Sequence, residues 1–479
     1  MDVLGRADLL AAHQCERRAW LQHQPPVSAA TPPIYPRADD RDAVRDAPRR
    51  RYPGGTRVPN HLPVAERLAQ TWAHLNDVRV PSIYDATFES GGVVVRAAIL
   101  ARAAGGFVVV EARSANSVGE AHELDVAAVA WVAERSGVPI VGRVLLHMDS
   151  EYVRTGALDE AALFVAVNVP ARSFADAEAA LAARTRPTEP DIAPGSQCSR
   201  PRECPFRSHC TPGEIGAYSV ARLPRAGRLL QELRELGISD VRQIPADLRM
   251  SPSQRHAVWS LTHGQEYLGQ GLAPALANVG WPLRFLDFEA CQPAVPRWEG
   301  TSPFQQIPTQ WSMHVQHRDG RIEHAEFLHT EDSDSRAAFV QSLVAAAGTE
   351  GSILVYSNYE ATTLRSLRDR LPEWWSDLEG LVNRIVDLLP IVRDHYYHPD
   401  LHGSFSIKAT LPAICPGLDY ADLAIADGAS AAQAWLRMIR PELSTEERLG
   451  IRSALLAYCA RDTFAMLRIR DALVARAGG

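Results

Sequence analysis

The sequence predicts an α/β protein of two or three domains, and three observations carry that expectation. Its 479 residues exceed what one ordinary hydrophobic core organises. Between Ile83 and Val169, apolar strand-like runs (VVVRAAIL, GFVVVEA, VGRVLLHM) surround a helical stretch from Asp125 to Glu134. The same alternation restarts at Leu283 with the strand RFLDFEA and closes on a long helical pattern near the C-terminus.

Taken in order, residues 24–60 are rich in Pro, Ala, Arg and Asp without a lasting period, which predicts a loop or disordered insert. After the first α/β segment, residues 170–197 read as an alanine-rich helix and a Pro-rich connection, followed by three closely spaced cysteines. Residues 224–270 are helical by leucine spacing, with Gly237 as a stop and Ser251-Pro252-Ser253-Gln254 as a capping box with proline at the first helical position. This is a helical connector, shaped like a helix-hairpin-helix in one reading. From Leu283 the expected order is a strand, a hairpin turning at Asp319-Gly320, a helix near 336–347, the strand SILVYSN, and further helices. The boundaries drawn are 1–215, 216–280 and 281–479.

Composition narrows the function classes. With 46% hydrophobic and 22% charged residues and no apolar run of the ~18 residues a bilayer span needs, the chain reads as soluble. Met1 to Leu21 lacks the apolar stretch of a secretory signal, so the expected compartment is the cytoplasm, with no membrane partner. A net charge of −7 excludes indiscriminate coating of nucleic acid and confines any phosphate contact to patches. Arg49, Arg50, Arg51 and Arg57, and then Arg200, Arg202 and Arg207, form two such patches or two solvated faces. Lys408 is the only lysine among 50 basic residues. Where arginine has replaced lysine everywhere else, the survivor marks a place that a guanidinium does not suit, or survives by chance.

In the strand Phe285-Leu286-Asp287-Phe288-Glu289, side chains alternate, so Asp287 and Glu289 share one face while Leu286 and Phe288 take the other. Two carboxylates on one strand face are costly unless a cation lies between them, although a bare D-x-E also suits two solvent-facing acids on an edge strand. Ser444-Thr445-Glu446-Glu447 is a capping box that starts a helix in which Tyr458 and Asp462 stand at i and i+4, on one face. Between these ends, Ile353 to Ser357 forms a strand leading into Asn358-Tyr359-Glu360, which places Glu360 at a strand-to-helix junction. Asp387, in IVDLLPIV, is a weaker candidate for which helix capping or a salt bridge serves equally well.

These residues resemble the DEDD exonucleases of the DnaQ-like, RNase H-like fold, in the subgroup whose last motif is Tyr-x-x-x-Asp. The resemblance assigns Asp287 and Glu289 to the first motif, Glu360 to the second, and Tyr458 with Asp462 to the third. The second motif carries glutamate where the family has aspartate, so a carboxylate is kept on a longer arm. Such sites hold two Mg²⁺ or Mn²⁺ ions about 4 Å apart across an in-line displacement, and hard cations want oxygen ligands. The resemblance gives Tyr458 the part of orienting the attacking water. Lys408 is a candidate contact for a phosphate or for developing negative charge.

Cys15, Cys198, Cys204 and Cys210 fall outside this unit, the last three in C-x5-C-x5-C spacing, whereas Cys291, Cys415 and Cys459 read as small core residues. In a cytoplasmic protein such a cluster is a metal site before it is a disulfide framework, and its spacing fits a 4Fe–4S cluster or Zn²⁺. One cysteine in a C-x-R-R-x-W-L context near the N-terminus and three after an α/β domain resemble the iron–sulfur RecB-like nucleases, including the CRISPR-associated ones. In those proteins the cluster staples the ends of a PD-(D/E)XK domain. The whole chain resembles a bacterial family of RecB-type nucleases in which that domain precedes a DnaQ-like one. The resemblance favours 4Fe–4S over zinc.

The N-terminal unit departs from the nuclease pattern. Where that family has an aspartate before the strand end, an E-V-K-S segment and a glutamine, this chain has Ala98, Glu111-Ala112-Arg113-Ser114 and Val129. Ala98 holds no cation, and Glu111, even with Asp85 nearby in the pattern, makes a poor Mg²⁺ site. The first domain is therefore expected not to cut and to serve as a scaffold or nucleic-acid-binding module. His61 is expected at the surface. The leading expectation is a metal-dependent 3′→5′ exonuclease on DNA, single-stranded by preference. A non-catalytic nucleic-acid-binding or structural subunit with both sites idle, and an exoribonuclease, are the alternatives.

Overall fold

A computed structural model describes residues 3–24, 44, 46–211 and 216–478. They form two compact units, the first of residues 3–24, 44, 46–211 and 293–305, the second of 216–292 and 306–478, so the helical segment 216–280 packs within the second. Both units are mixed α/β. No helix among the described residues is long and apolar enough to cross a membrane.

The first unit is built on a seven-stranded sheet. Its strands are β1 (Leu4–Gly5), β2 (Thr56–Arg57), β3 (Ser82–Ser90), β4 (Val93–Ala103), β5 (Gly106–Arg113), β6 (Ile140–Met148) and β7 (Phe164–Asn168). Their order is β2-β3-β4-β5-β6-β7, with β1 added parallel to the start of β4. β3, β4 and β5 run antiparallel, whereas β6 lies parallel to β5. That parallel step needs a crossover, and helix Glu120–Arg135 supplies it. Leu124 to Ala133 are all buried, so this helix is covered on every side, which explains its unbroken apolar composition. It starts a turn before the expected Asp125. The helix expected within 170–197 is shorter, Ala175–Ala182.

One expectation is corrected in part. Residues 25–43 and 45 of the supposed insert 24–60 lie outside the described residues, but 46–60 is ordered. Ala47–Arg51 is a 3₁₀ turn and β2 pairs with β3. The physical reason is charge. Asp85 on β3 is fully buried, and Arg49 and Arg57 reach its Oδ2 at 3.0 and 2.9 Å, so two of the supposed patch arginines are internal counter-charges.

The second unit carries β8 (Tyr267–Leu268), β9 (Leu283–Cys291), β10 (Ile307–Gln316), β11 (Ile322–Leu328), β12 (Ile353–Val355), β13 (Ile385–Asp387) and β14 (Tyr396–Tyr397). Five form a sheet in the order β11-β10-β9-β12-β13, and β8 pairs with β14. β9, β10 and β11 are antiparallel, with the hairpin turning at Gly320 (φ +85°), and β12 and β13 continue parallel to β9. Helix Arg336–Ala347 matches its expected span, and Ser251 caps Pro252–His263 through a capping box with Gln254. β13 and β14 had no counterpart in the sequence reading, because three- and two-residue strands are too short to show a period.

Leu286 and Phe288 enter a core with Phe339, Leu343, Ile353 and Leu364, which fixes the opposite face of β9 for Asp287 and Glu289. Helix Thr445–Ala477 lies along that acidic face, started by the Ser444–Glu447 capping box. Its buried stripe, Ile451, Leu455, Tyr458, Cys459, Asp462, Met466, Ile469 and Leu473, recurs every three or four residues.

Candidate functional site

Three of the expected acids meet in space. Ligand oxygens of Asp287, Glu289 and Asp462 all lie within 4.8 Å of one another, the one such set of three or more His, Cys, Asp or Glu side chains among the described residues. β9 supplies two and the C-terminal helix the third. A row of polar side chains on β10 holds that helix in place. Gln310 donates to the Leu455 carbonyl (2.9 Å), Ser312 meets Thr463 (3.0 Å), His314 meets Thr463 (2.8 Å), and Gln316 donates to Asp471 (2.9 Å). Because Ser312 stands opposite Asp287 in the ladder and Gln310 opposite Glu289, the same register aligns acids and helix.

The acids line a cleft of about 560 Å³ together with Glu360, Tyr458, Lys408, Tyr356 and Arg225. Glu360 sits in the first turn of helix Tyr359–Arg370, directly after β12, and is 2% exposed. It is outside the tight set of three, and its Oε2 is buried without a hydrogen-bond partner. Lys408 Nζ donates to the Tyr458 hydroxyl at 2.9 Å and to the Ala426 carbonyl at 2.6 Å. Its side-chain partner is therefore the tyrosine. Asp387 caps helix Leu388–His395, accepting from the Leu389 amide at 2.9 Å, which is the capping role weighed for it.

Electrostatics shows what the cleft lacks. Burial, then repulsion from Asp462 and the other acids, pushes Asp287 far above the usual carboxylate range. The same causes push Glu289 up to about 8, and burial raises Glu360 to about 8. Asp462 rises only to about 6, because hydrogen bonds from Tyr420 and Tyr458 and the charge of Lys408 oppose its burial. Among the described residues none of these four acids forms an ion pair. Such a cluster is either protonated or neutralised by something bound. Two to four carboxylate oxygens in one pocket are the donor set that Mg²⁺ and Mn²⁺ take.

Sequence reasoning missed three participants. Tyr420 donates its hydroxyl to Asp462 Oδ1 at 2.6 Å, yet it stands in a loop with no motif spacing. Cys459 is more than core filling, since its thiol lies 3.5 Å from Asp287 Oδ2. Arg225 is exposed, lines the cleft and pairs with no acid among the described residues. The β10 row did leave a signal, because Gln310, Ser312, His314 and Gln316 alternate with apolar residues at the period of a strand.

In the first unit, Cys15, Cys198, Cys204 and Cys210 line one small cavity with Arg17, Arg18 and Phe206. Cys204 is buried and the other three are half-buried. Burial and the neighbouring thiols push Cys204 and Cys210 up, while Arg18 and Arg17 pull them down. Asp85, Glu111 and Asp125 gather elsewhere in this unit with Ala98 and Arg113, each acid held by arginines. His61 is exposed, as expected.

Among known proteins, a family described as a domain of unknown function (DUF2779) matches residues 284–406. The match spans Asp287, Glu289 and Glu360 and ends before Lys408, Tyr458 and Asp462. Comparisons with curated proteins and with solved structures returned no match.

Proposed function

We propose that the second unit is a metal-dependent 3′→5′ exonuclease acting on DNA, with single strands as its preferred form, and that the first unit binds or scaffolds nucleic acid without cutting it. The observation that carries this is the convergence of Asp287, Glu289 and Asp462 within 4.8 Å, with no ion pair to any of the three among the described residues. The strand order β11-β10-β9-β12-β13, with acids at the centre of β9, supports an RNase H-like, DnaQ-type reading of this unit. In the first unit, the antiparallel β3-β4-β5 followed by parallel β6 across a buried helix supports a PD-(D/E)XK-like reading.

Asp287, Glu289, Asp462 and Glu360 would hold the divalent ions. Bound there, Mg²⁺ or Mn²⁺ would supply an ionised water near neutral pH and offset charge on the leaving 3′ oxygen. The protein's own contributions follow from its hydrogen bonds. Lys408 occupies a lone pair of the Tyr458 hydroxyl, so the phenol keeps its proton to donate toward Asp462 or toward a water beside it. Tyr420 fixes the Asp462 carboxylate, and Arg225 at the rim is free to meet a phosphate.

For the cysteine pocket we propose a 4Fe–4S cluster, with Zn²⁺ as the alternative. Four sulfurs about 2.3 Å from one zinc stand about 3.8 Å apart, and these thiols share a cavity without forming a set within 4.8 Å. Iron–sulfur ligation, with its wider thiolate spacing, suits that arrangement. A brown protein that bleaches under dithionite supports the cluster, and a colourless one with stoichiometric zinc rejects it.

The activity test uses single strands labelled at the 3′ or the 5′ end, with Mn²⁺, comparing the wild type with Asp287→Ala and Glu111→Ala. The expected result is early loss of the 3′ label, abolished only by Asp287→Ala. Equal abolition of cutting by Glu111→Ala overturns the assignment of cutting to the second unit. An RNA strand run in parallel decides the polymer.

A further inference from the structure

A cleft of about 800 Å³ in the first unit surrounds a second acidic cluster whose neutralisation is the reverse of the first. Asp85, Glu111 and Asp125 are 0, 3 and 6% exposed. Each is paired with guanidinium groups, although Asp85 Oδ1 accepts no hydrogen bond. Asp85 Oδ2 accepts from Arg49 and Arg57, and its Oδ1 lies 3.5 Å from Arg96. Glu111 Oε1 accepts from the Ala98 amide at 2.9 Å, and its Oε2 from Arg6 and Arg113 at 3.1 and 3.0 Å. Asp125 meets Arg202 at 2.9 Å, Arg113 at 3.3 Å and Arg6 at 3.6 Å. A divalent ion would have to displace these arginines to reach Asp85 Oδ2, Glu111 Oε2 or Asp125 Oδ2.

The arginines outnumber what the acids need. Arg6, Arg67, Arg96, Arg113 and Arg202 line the cleft against three carboxylates. Each guanidinium carries five N–H donors, more than its carboxylate partners here consume. Arg6, Arg96 and Arg202 keep 34, 38 and 56% of their side chains exposed, so their remaining donors are open to a ligand. Arg67, on helix Val64–Asn76, takes part in no ion pair among the described residues, and its Nε is buried without a partner. A purely structural plug of ion pairs would fill the space it neutralises. This one leaves a cleft of about 800 Å³ beside it.

We propose that this cleft is a phosphate-binding site for a nucleic-acid strand that works without a divalent ion, its arginines replacing the metal as the positive element. It rests on the reading of the first unit as a nucleic-acid-binding module and is independent of cutting by the second. Planar, forked guanidinium groups match phosphate oxygens two at a time; buried acids hold Arg6, Arg96, Arg113 and Arg202 in that pose, while Arg67 stands beside them unpaired among the described residues. The carboxylates therefore act as positioning residues. The phosphate meets the outer edge of the same guanidinium.

The test measures anisotropy of a fluorescent 12-nucleotide oligo(dT) on the full chain carrying Asp287→Ala, in EDTA and in Mg²⁺. Binding is expected in EDTA and to weaken fivefold or more in Arg67→Ala, further in Arg67→Glu, with recovery in Arg67→Lys. Each lost phosphate contact should also flatten the slope of log Kobs against log salt by about 0.7. Arg67 breaks no ion pair when removed, so unchanged thermal melting of Arg67→Ala separates binding from folding, and Arg202→Ala gives a second readout at the opposite wall. Equal binding by wild type and both variants in EDTA overturns the proposal, as does binding that needs Mg²⁺ and is lost in Glu111→Gln. Complete displacement by about 1 mM inorganic phosphate at matched ionic strength would make this a free-phosphate site and remove the nucleic-acid assignment. Failure of the exonuclease reading would leave this binding unchanged.

Discussion

Removing one carboxylate from the Asp287, Glu289 and Asp462 set takes away both a ligand and a source of repulsion, so the two effects should part company. Asp287→Ala is expected to lower activity by at least a hundredfold, whereas Glu289→Gln should raise the melting temperature of the metal-free chain by roughly 2–4 °C, as relief of about 1 kcal/mol does for a unit of this size. Tyr458→Phe should lower kcat on the order of a hundredfold while leaving Mn²⁺ affinity near wild type, since its hydroxyl meets Lys408 and Asp462. Arg225→Ala should act mainly on KM for the strand, because it lines the cleft without touching the acids. The sign of the pH dependence follows from the raised carboxyls. Glu289 and Glu360 near 8 and Asp462 near 6 favour the folded chain while protonated. That stability is full below their ordinary values near 4 and is lost as pH rises from about 5 through 8. Thermal melting of metal-free protein across that window should show the fall, and Mn²⁺ should reverse it.

At the scale of elements, the site is a strand and a helix held in register by polar bonds that cross a buried interface. Thr463→Val deprives Ser312 and His314 of their common partner and should cost about 1–3 kcal/mol while weakening Mn²⁺ binding, read by denaturant titration and by calorimetry. Leu286→Ala, on the opposite face of β9, should cost about 2–5 kcal/mol without touching a ligand. The two faces of β9 and the shared face of Tyr458 and Asp462 were legible in the sequence because a strand repeats every two residues and a helix every three to four. The start of the C-terminal helix was marked by its capping box. What could not be read is what no local period encodes. β13 spans three residues, Tyr420 reaches Asp462 from an irregular loop, and the arginines on Asp85 come from a segment whose composition suggested disorder. The last two are set by a buried charge finding its partner across the fold.

Across the whole molecule, two acidic clusters solve the same electrostatic problem in opposite ways. The first unit answers three buried carboxylates with its own arginines, and the second leaves three to four of them without an ion pair among the described residues, Lys408 and Arg225 lining the same cleft. The first arrangement is complete without a cation and the second is not, which under the proposed function would divide binding from chemistry between the units. The claim that stands beneath this division is that the second cluster takes up divalent ions. Calorimetric titration of the full chain with Mn²⁺ near neutral pH, paired with the Asp287→Ala/Asp462→Ala double variant, tests it most directly. Two ions per wild-type chain, both lost in the double variant, is the predicted result. Uptake that is absent from the wild type, or unchanged when both aspartates are removed, would contradict it.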